Sequence, residues 1–213
     1  MAINKSRTFV YRILHRDNLQ NVLSHGLVYK RHVNANKQYV SIGNLEIIDV
    51  RSMTPVRLKG YGNIGDYVPF YFTPRSIMLF NIVTGYYAPK VPKRNKNEII
   101  VIRCTIEKLV NQPKWFFTDG QANDEETCHY NDLSYLDRVD WHSISESNFK
   151  KSDGDFDRQR RYQAEFLIHD NVPLESFESI FVYDETTKTW AQEIVDAMNV
   201  DIPVHIHKPY FFD

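Results

Sequence analysis

The sequence has few of the features that mark secreted, metal-binding or membrane proteins. Its 213 residues include only two cysteines, Cys104 and Cys128, and no CxxC pair. A disulfide scaffold and a structural zinc site are therefore not expected, whereas a reducing compartment is. No apolar run reaches membrane-spanning length, and the N-terminal MAINKSRTF lacks a signal-peptide pattern. We expect a soluble cytoplasmic protein that uses neither a metal nor a membrane.

Glycine-rich phosphate-binding motifs are missing as well. The chain has 8 glycines but neither GxGxxG nor GxxxxGK. A net charge of −1 argues against an indiscriminate coat of nucleic acid, yet it permits a local basic groove. With 42% hydrophobic residues, the composition is that of a globular protein, and the length predicts a single domain over residues 1–213.

The most informative stretch is DYVPFYFTPRSIMLFNIVTG, residues 66–85. Residues 67–72 predict a strand, in which Pro69 indicates an edge or a bulge because proline cannot donate to a sheet ladder. Thr73-Pro74 is typical of a helix start, and Gly85 is a good helix end. The helix residues expected to face inward are Ile77, Met78, Phe80 and Ile82.

Two arginines near apolar segments are candidate anion ligands. Arg75 lies where the predicted strand leads into the helix, so the aromatic residues and Arg75 could form a wall for a ligand with phosphates. Arg51 directly follows the apolar segment IIDV and could clamp a phosphate or a carboxylate through two hydrogen bonds. The alternative is that the rings are core and both arginines are solvated.

Near the N-terminus, a strand is predicted over residues 9–14 and a helix over residues 18–24. Asp17 could cap that helix and Gly26 could end it. Arg12 and His15 thus lie at the end of a strand, where polar groups often face a site. A surface or capping histidine is the alternative.

Two regions suggest contact with nucleic acid. Residues 86–97 interleave basic side chains with tyrosines, a pattern that suits phosphates and bases of a single strand. Residues 108–151 show little periodicity and are too long for an idle connection. The candidate contacts there are His129, Tyr130, Tyr135, Trp141 and His142. A solvated loop is the alternative for residues 86–97.

RQRRYQAEFLI, residues 158–168, places three arginines before Glu165, which opens an apolar strand. Neighbouring arginines can hold such a carboxylate ionised, although a lone glutamate is more often simply solvated. The clearest strand of the chain is EIIVIRCTI, residues 98–106. The rest of the scaffold is predicted as a strand over 179–183, a helix over 188–198 and a strand over 204–206.

Together, YRILHRDNL with HGL behind it, Arg51, DYVPFYFTPRSIMLF and RYQAEFLI resemble the DarT family of DNA ADP-ribosyltransferase toxins. The resemblance implies an α+β ADP-ribosyltransferase (PARP-like) fold with a split, mainly antiparallel β-core and surrounding helices. It also implies NAD as co-substrate, no metal, and transfer of ADP-ribose onto a base of single-stranded DNA. The implied partner is a DarG-like antitoxin with a macrodomain.

By this resemblance Glu165 and Arg51 are the expected catalytic residues, Glu165 taking the place of the family's catalytic glutamate. The expected NAD-binding residues are Arg12, His15, Asn18, Arg51, Tyr71, Arg75 and Met78. The expected DNA-binding residues are Tyr86, Lys90, Lys93, Arg94, His129, Arg158 and Arg161. Arg12 stands where many members have histidine and Ile77 where many have proline. The first departure puts the base specificity in doubt and slightly favours guanine over thymine.

Three other classes stay open from the sequence. An enzyme of the same fold could act on RNA or protein, a non-enzymatic module could simply bind nucleic acid, and a nuclease is conceivable. A nuclease would need a cluster of metal-binding carboxylates, and the acidic groups at 119–126 and 153–157 look instead like loops.

Overall fold

The computed structural model describes residues 8–213. Residues 1–7, on which the expected absence of a signal peptide partly rests, lie outside the described part. The helices are α1 Leu19–His25, α2 Leu45–Met53, α3 Ile77–Thr84, α4 Ile106–Leu109, α5 Trp141–Ser145, α6 Arg158–Arg161 and α7 Glu185–Ala197. The strands are β1 Phe9–His15, β2 Leu27–Val28, β3 Tyr67–Tyr71, β4 Ile99–Thr105, β5 Trp115–Thr118, β6 His129–Tyr130, β7 Glu165–His169, β8 Asn171–Val172, β9 Phe177–Val182 and β10 Val204–Ile206.

Eight strands form one sheet in the order β10-β9-β4-β1-β3-β7-β5-β6, and β2 pairs separately with β8. Apart from the parallel β10–β9 pair, neighbouring strands run antiparallel. The sheet is nearly split in its middle, because β1 and β3 meet only at Tyr11 and Tyr71. The expected α+β class with a split, mainly antiparallel core is confirmed.

Pro69 explains part of this split. Its partner across β7 is Leu167, and on the opposite side its carbonyl accepts a hydrogen bond from Arg12 Nη1 at 3.2 Å. The Arg12 guanidinium thus takes the place of a strand donor to this carbonyl, and proline has no N–H with which to pair β3 to β1 there. The predicted edge position is wrong, since β3 lies inside the sheet, but the loss of pairing that motivated it is real.

Alternation along the strands divides the core between the two sheet faces. Val10 and Leu14 belong to the large cluster on one face, and Tyr11 and Ile13 to the cluster on the other. The register pairs Tyr11 with Tyr71 and Tyr71 with Glu165. These three side chains therefore lie in one row across the same face.

The start of α3 differs from the prediction, whereas its end does not. Ser76 caps the helix by accepting a hydrogen bond from Leu79 N at 3.2 Å, so the helix begins after Thr73-Pro74. Thr73 Oγ1 instead accepts from Arg75 N at 3.1 Å, in a local turn. Gly85 ends the helix in the left-handed conformation, φ 75° and ψ 15°, as predicted.

Not all of the inward residues predicted for α3 are buried. Ile77 and Ile82 are, whereas Met78 and Phe80 are half-buried, because the helix turns Leu79 and Val83 into the core in their place.

Two further local predictions need correction. Asp17 does not cap α1. The N-cap residue is Asn18, whose side chain instead donates to the backbone carbonyl of Val40. Helix α2 was not predicted at all. It has no buried residue, so its sequence carries no apolar stripe for periodicity to detect. Gly65, in the turn that follows α2 in sequence, lets that turn lie close to the helix, because a Cβ there would stand 2.6 Å from Ser52 Cα.

The predicted strands β4, β9 and β10 and helix α7 agree with the structure to within a few residues, and β4 is buried as predicted. The short strands β2, β5, β6 and β8 were not predicted. Within residues 8–213, no helix is long and apolar enough to cross a bilayer.

Candidate active site

The site centres on the carboxylate of Glu165, the first residue of β7, which is 2% exposed. Arg51, on α2, binds it with a two-pronged contact, Nη1 to Oε1 at 3.0 Å and Nη2 to Oε2 at 2.8 Å. The backbone N–H of Ala122 donates to Oε1 at 3.0 Å. A buried carboxylate is costly unless it is paired and hydrogen-bonded, and this one is both.

These contacts leave one acceptor position open. A carboxylate offers roughly four lone-pair positions, and Oε1 uses its two on Arg51 and Ala122. Oε2 accepts from Arg51 alone among the described residues. Glu165 can therefore receive one more donor, such as a hydroxyl, without breaking any contact in the structure.

Arg51 is fixed as a cation. Burial acts to lower its pKa, but the charge and hydrogen bonds of Glu165 prevail and raise it. The Arg51 side chain is 14% exposed, although no whole residue of helix α2 is fully buried. The ion pair is thus the main polar tie between α2 and the sheet.

Tyr71 lies beside the carboxylate, and Met78 lies beside Tyr71. Tyr71 is directly opposite Glu165 in the register, and its hydroxyl lies 3.7 Å from Met78 Sδ. Burial, and then the charge of Glu165, raise the pKa of Tyr71 to about 12. The hydroxyl therefore stays protonated and is a neutral donor at the edge of the site.

A layer behind Glu165 holds Ala122 in place, and the sequence did not reveal it. His129 Nε2 lies 2.9 Å from the carbonyl of Ala122, and its Nδ1 accepts from the backbone N–H of Arg57 at 3.0 Å. Since a backbone N–H only donates, the ring proton is on Nε2 and His129 donates to Ala122. The Arg57 guanidinium also binds the carbonyls of Asp124 and Thr127 in the same loop.

Three predicted NAD-binding residues lie apart from this carboxylate. Arg12 fills the split between β1 and β3, where it bonds Pro69. His15 is buried at the far end of β1, with Nδ1 accepting from Asp17 N at 3.3 Å and Nε2 3.6 Å from Glu98. Asn18 makes two 2.9 Å hydrogen bonds with the backbone of Val40. His15 and Asn18 hold loops in position.

The predicted DNA-binding arginines of α6 are already paired within the chain. Arg158 donates to Asp155 at 3.0 Å. Arg161 bonds Asp155, Asp157 and Asp140 at 2.8–3.2 Å, and it lowers the pKa of Asp155 to about 2. These guanidinium groups brace the loop before Glu165, and their side chains remain 22% and 29% exposed.

His129 also departs from its expected role as a DNA contact, because it is 8% exposed and both ring nitrogens are engaged.

The basic loop after α3 is partly available. Tyr86 is 75% exposed and Lys93 is exposed. Lys90 pairs with Glu46 of α2 at 2.9 Å, and Arg94 lies 3.9 Å from Glu98.

Arg75 points elsewhere. It stacks on Phe212 at 4.3 Å and donates to the carbonyl of Pro209, so the structure does not bring it together with Arg51.

Among residues 8–213, no group of three His, Cys, Asp or Glu side chains is placed to hold a metal ion.

Comparison with known proteins identifies relatives along nearly the whole chain. The family model described as "ssDNA thymidine ADP-ribosyltransferase, DarT" matches residues 11–212. A DNA ADP-ribosyl transferase of Escherichia coli O127:H6 (strain E2348/69 / EPEC) is 31% identical, over 99% of this chain and 96% of the relative. A DNA ADP-ribosyl transferase–DNA ADP-ribosyl glycohydrolase fusion protein of Thermosipho africanus (strain H17ap60334) is 23% identical, over 95% of this chain and 49% of the fusion.

Among solved structures, Thermus sp. 2.9 DarT in complex with ADP-ribosylated ssDNA superposes with a TM-score of 0.85 at 27% identity, over 96% of both chains. The same Thermus protein in complex with NAD+ gives a TM-score of 0.82 at 24% identity, over 99% of this chain and 100% of that one. At 24% identity, the similarity to the NAD+ complex is evidence for the fold alone.

His129 generates a prediction about acid stability. Burial lowers its pKa below the ordinary 6.5, with Arg57 also lowering it and Glu165 and Asp119 opposing. The folded protein therefore favours the neutral ring, and its stability should fall as the pH drops below about 6.5, where the unfolded chain takes up the proton. His129→Gln keeps a donor for Ala122 but does not titrate.

We expect the free energy of unfolding, measured by urea titration at pH 7.5 and pH 5, to fall less in His129→Gln than in the native protein. The change in unfolding free energy per pH unit should differ between the two proteins by at most about 1.4 kcal/mol, which is the contribution of one proton. All other titrating groups are common to both proteins. Equal losses in the two would show that this ring is not held neutral.

Proposed function

The chain belongs to the DarT family of DNA ADP-ribosyltransferases, and we propose that it transfers ADP-ribose from NAD onto a base of single-stranded DNA, with release of nicotinamide. The observation that carries the proposal is the buried Glu165 carboxylate, held by Arg51 and Ala122 with one acceptor position open. We place the reaction in the cytoplasm, where both substrates are available.

The residues around Glu165 fit the sugar and nicotinamide end of NAD. The open position on Oε2 suits a ribose hydroxyl, since a carboxylate accepts strongly from O–H donors. The ring of Tyr71 and the thioether of Met78 offer an apolar wall for a flat ring. When bound, NAD supplies the ADP-ribosyl group, and nicotinamide leaves with the electron pair of the broken bond.

Glu165 stabilises the positive charge that develops on the ribose as that bond breaks, in the way carboxylates act in glycoside cleavage. Its fixed place in the sheet means that no reorganisation is needed at that moment. As the attacking nitrogen of the base bonds to the sugar carbon, it loses a proton, and Glu165 accepts it. Arg51 keeps the carboxylate oriented and charged until then.

The DNA strand reaches this site along the basic loop after α3, where Tyr86, Lys93 and their neighbours are exposed. Single-stranded substrate follows from the chemistry, because a base atom engaged in a stacked duplex cannot enter a buried site. Contacts with phosphates make binding weaker as salt rises.

Removing the carboxylate tests the central assignment. We expect Glu165→Ala and Glu165→Gln to lower the rate of DNA labelling from labelled NAD by about 10²–10³ or more, because a charge-placing group is lost from the transition state. Glu165→Gln keeps an amide oxygen that can still accept from Arg51 and Ala122, so it is the variant expected to keep the fold. Thermal unfolding and the labelling rate are measured together. Near-native labelling by a folded Glu165→Gln protein would discard the assignment.

Arg51 and an exposed arginine form a matched pair for a test of NAD binding. Arg51→Ala should weaken NAD binding, measured by calorimetric titration, whereas Arg138→Ala, at an exposed position, should leave it unchanged. Equal titrations for Arg51→Ala and the native protein would remove Arg51 from the site. Separate pools of DNA, RNA and protein in the labelling assay distinguish the proposed substrate from the other substrate classes of this fold.

Guanine and thymine are the two candidates for the base that is modified. Arg12, in place of the family's usual histidine, favours guanine, and the description of the matching family model names thymidine. Mass spectrometry of nucleosides from DNA treated with the protein and NAD decides between them. ADP-ribosyl-guanosine is the result expected from Arg12, and an adduct on thymidine would show that this substitution does not change the base.

We also propose that the protein is the toxin of a toxin–antitoxin pair, whose antitoxin carries an ADP-ribosyl glycohydrolase macrodomain. The support is the Thermosipho fusion protein, which joins a transferase to a glycohydrolase. Treatment of labelled DNA with such a macrodomain should remove the label, and its co-expression should relieve growth arrest. Persistent arrest in cells whose DNA is free of label would contradict the pairing.

A further inference from the structure

Two hollows lie on either side of Arg75, each of about 470 Å³. The first, which we call the Tyr210 hollow, is lined by Tyr11, Arg75, Ser147, His207 and Tyr210 among others. The second, the Phe149 hollow, is lined by Arg75, Ser147, Phe149, Lys150 and Phe212 among others. Their volumes are within the range of small-ligand sites.

The Tyr210 hollow is close to the reactive carboxylate. Tyr11, one of its walls, pairs with Tyr71, and Tyr71 pairs with Glu165. Neighbouring strands are about 4.8 Å apart, so Tyr11 is about 10 Å from Glu165 across the sheet. A polymer whose target base lies at Glu165 can place an adjoining unit in this hollow.

The Phe149 hollow is tied to the same strand by packing. Phe149 contacts Tyr162, three residues before Glu165, with ring centroids 5.2 Å apart. The Tyr162 hydroxyl donates to the backbone carbonyl of Arg75 at 2.8 Å. Packing through the buried Tyr162 therefore links Arg75 and the Phe149 hollow to the residues just before β7.

Both hollows offer rings with a cation between them. Tyr210 packs edge-on against His207 at 4.1 Å, and Phe149 lies 6.2 Å from Phe212. Phe149 and Phe212 are only half-buried, so part of each ring is open to a ligand. Arg75 stacks on Phe212 and, among residues 8–213, makes a single hydrogen bond, from Nη1. A guanidinium has several N–H donors, so Arg75 retains donors for a phosphate.

We propose that Arg75 and the two hollows bind the nucleotides that flank the target base, a role that rests on the function proposed above. One base stacks in the Tyr210 hollow and the next in the Phe149 hollow, and the phosphate between them binds Arg75. Arg75 is thereby assigned to DNA instead of the pyrophosphate of NAD. The adenosine half of NAD has similar chemistry, and the experiment separates the two.

The backbone around the second hollow is consistent with a constrained site. Ser147 and Phe212 are non-glycine residues with left-handed backbones, φ 52° and φ 58°, and both line it. Such conformations cost free energy and persist where surrounding structure imposes them.

The experiment measures initial labelling rates against oligonucleotide concentration for the native protein, Tyr210→Ala, Phe212→Ala and Arg75→Lys. Loss of one stacking partner should raise KM for DNA about 5- to 150-fold and leave KM for NAD unchanged. Phe156→Ala is the matched control, because Phe156 is 69% exposed and lines neither hollow. Thermal unfolding checks each fold, and Arg75→Lys retains the charge where Ala could disturb packing.

A second arm replaces one flanking nucleotide at a time by an abasic residue. The native protein should show a raised KM at one or two positions beside the target, and the matching ring variant should show no further rise there. Additive losses, or unchanged KM for DNA in every variant, would overturn the proposal. A rise in KM for NAD alone would assign the hollows to the adenosine. If the native protein labels no DNA at all, the proposed function fails first.

Discussion

A single buried ion pair organises this molecule. Glu165 is almost fully removed from solvent at the start of β7, and a carboxylate in that position is tolerated only because Arg51 and the Ala122 amide satisfy it. Arg57 and His129 hold the Ala122 segment in place, so that its amide points at Oε1. The same arrangement leaves one lone pair of Oε2 for a ligand, so the contacts that stabilise the charge also prepare it for chemistry.

The pair also determines how the outer elements are held. No residue of helix α2 is fully buried, and the helix stays on the sheet through the Arg51 side chain and its close approach to Gly65. A helix attached mainly by charge can adjust its position more easily than one packed by an apolar face. Beside it, the single contact between β1 and β3 opens the sheet next to Tyr71. Glu165 is therefore bordered by a helix held largely by one ion pair and by the gap between β1 and β3.

Much of the scaffold was accessible from sequence pattern, because buried strands such as β4 and the glycine stop of α3 follow local rules. Tyr71, Met78 and Glu165 were placed near one another because they lie in short motifs of recognisable order. Helix α2 escaped prediction for a physical reason, since it has no apolar stripe. Of the residues expected to contact DNA, His129 is buried, and Arg158 and Arg161 are paired with aspartates. Their partners come from distant segments or from compact turns that spacing does not reveal.

The sequence by itself determined which groups are available: a carboxylate opening an apolar strand, arginines near it, rings at the end of a central strand, and a family resemblance that joins them. Only the tertiary structure decided which arginine meets Glu165, which ones are neutralised by aspartates, and that Arg75 turns toward the C-terminal tail. The reason is that charge pairing depends on distances of about 3 Å between residues more than a hundred positions apart, as for Arg51 and Glu165. Local propensities fix the elements, whereas the packing of the sheet and its loops fixes which charges face each other.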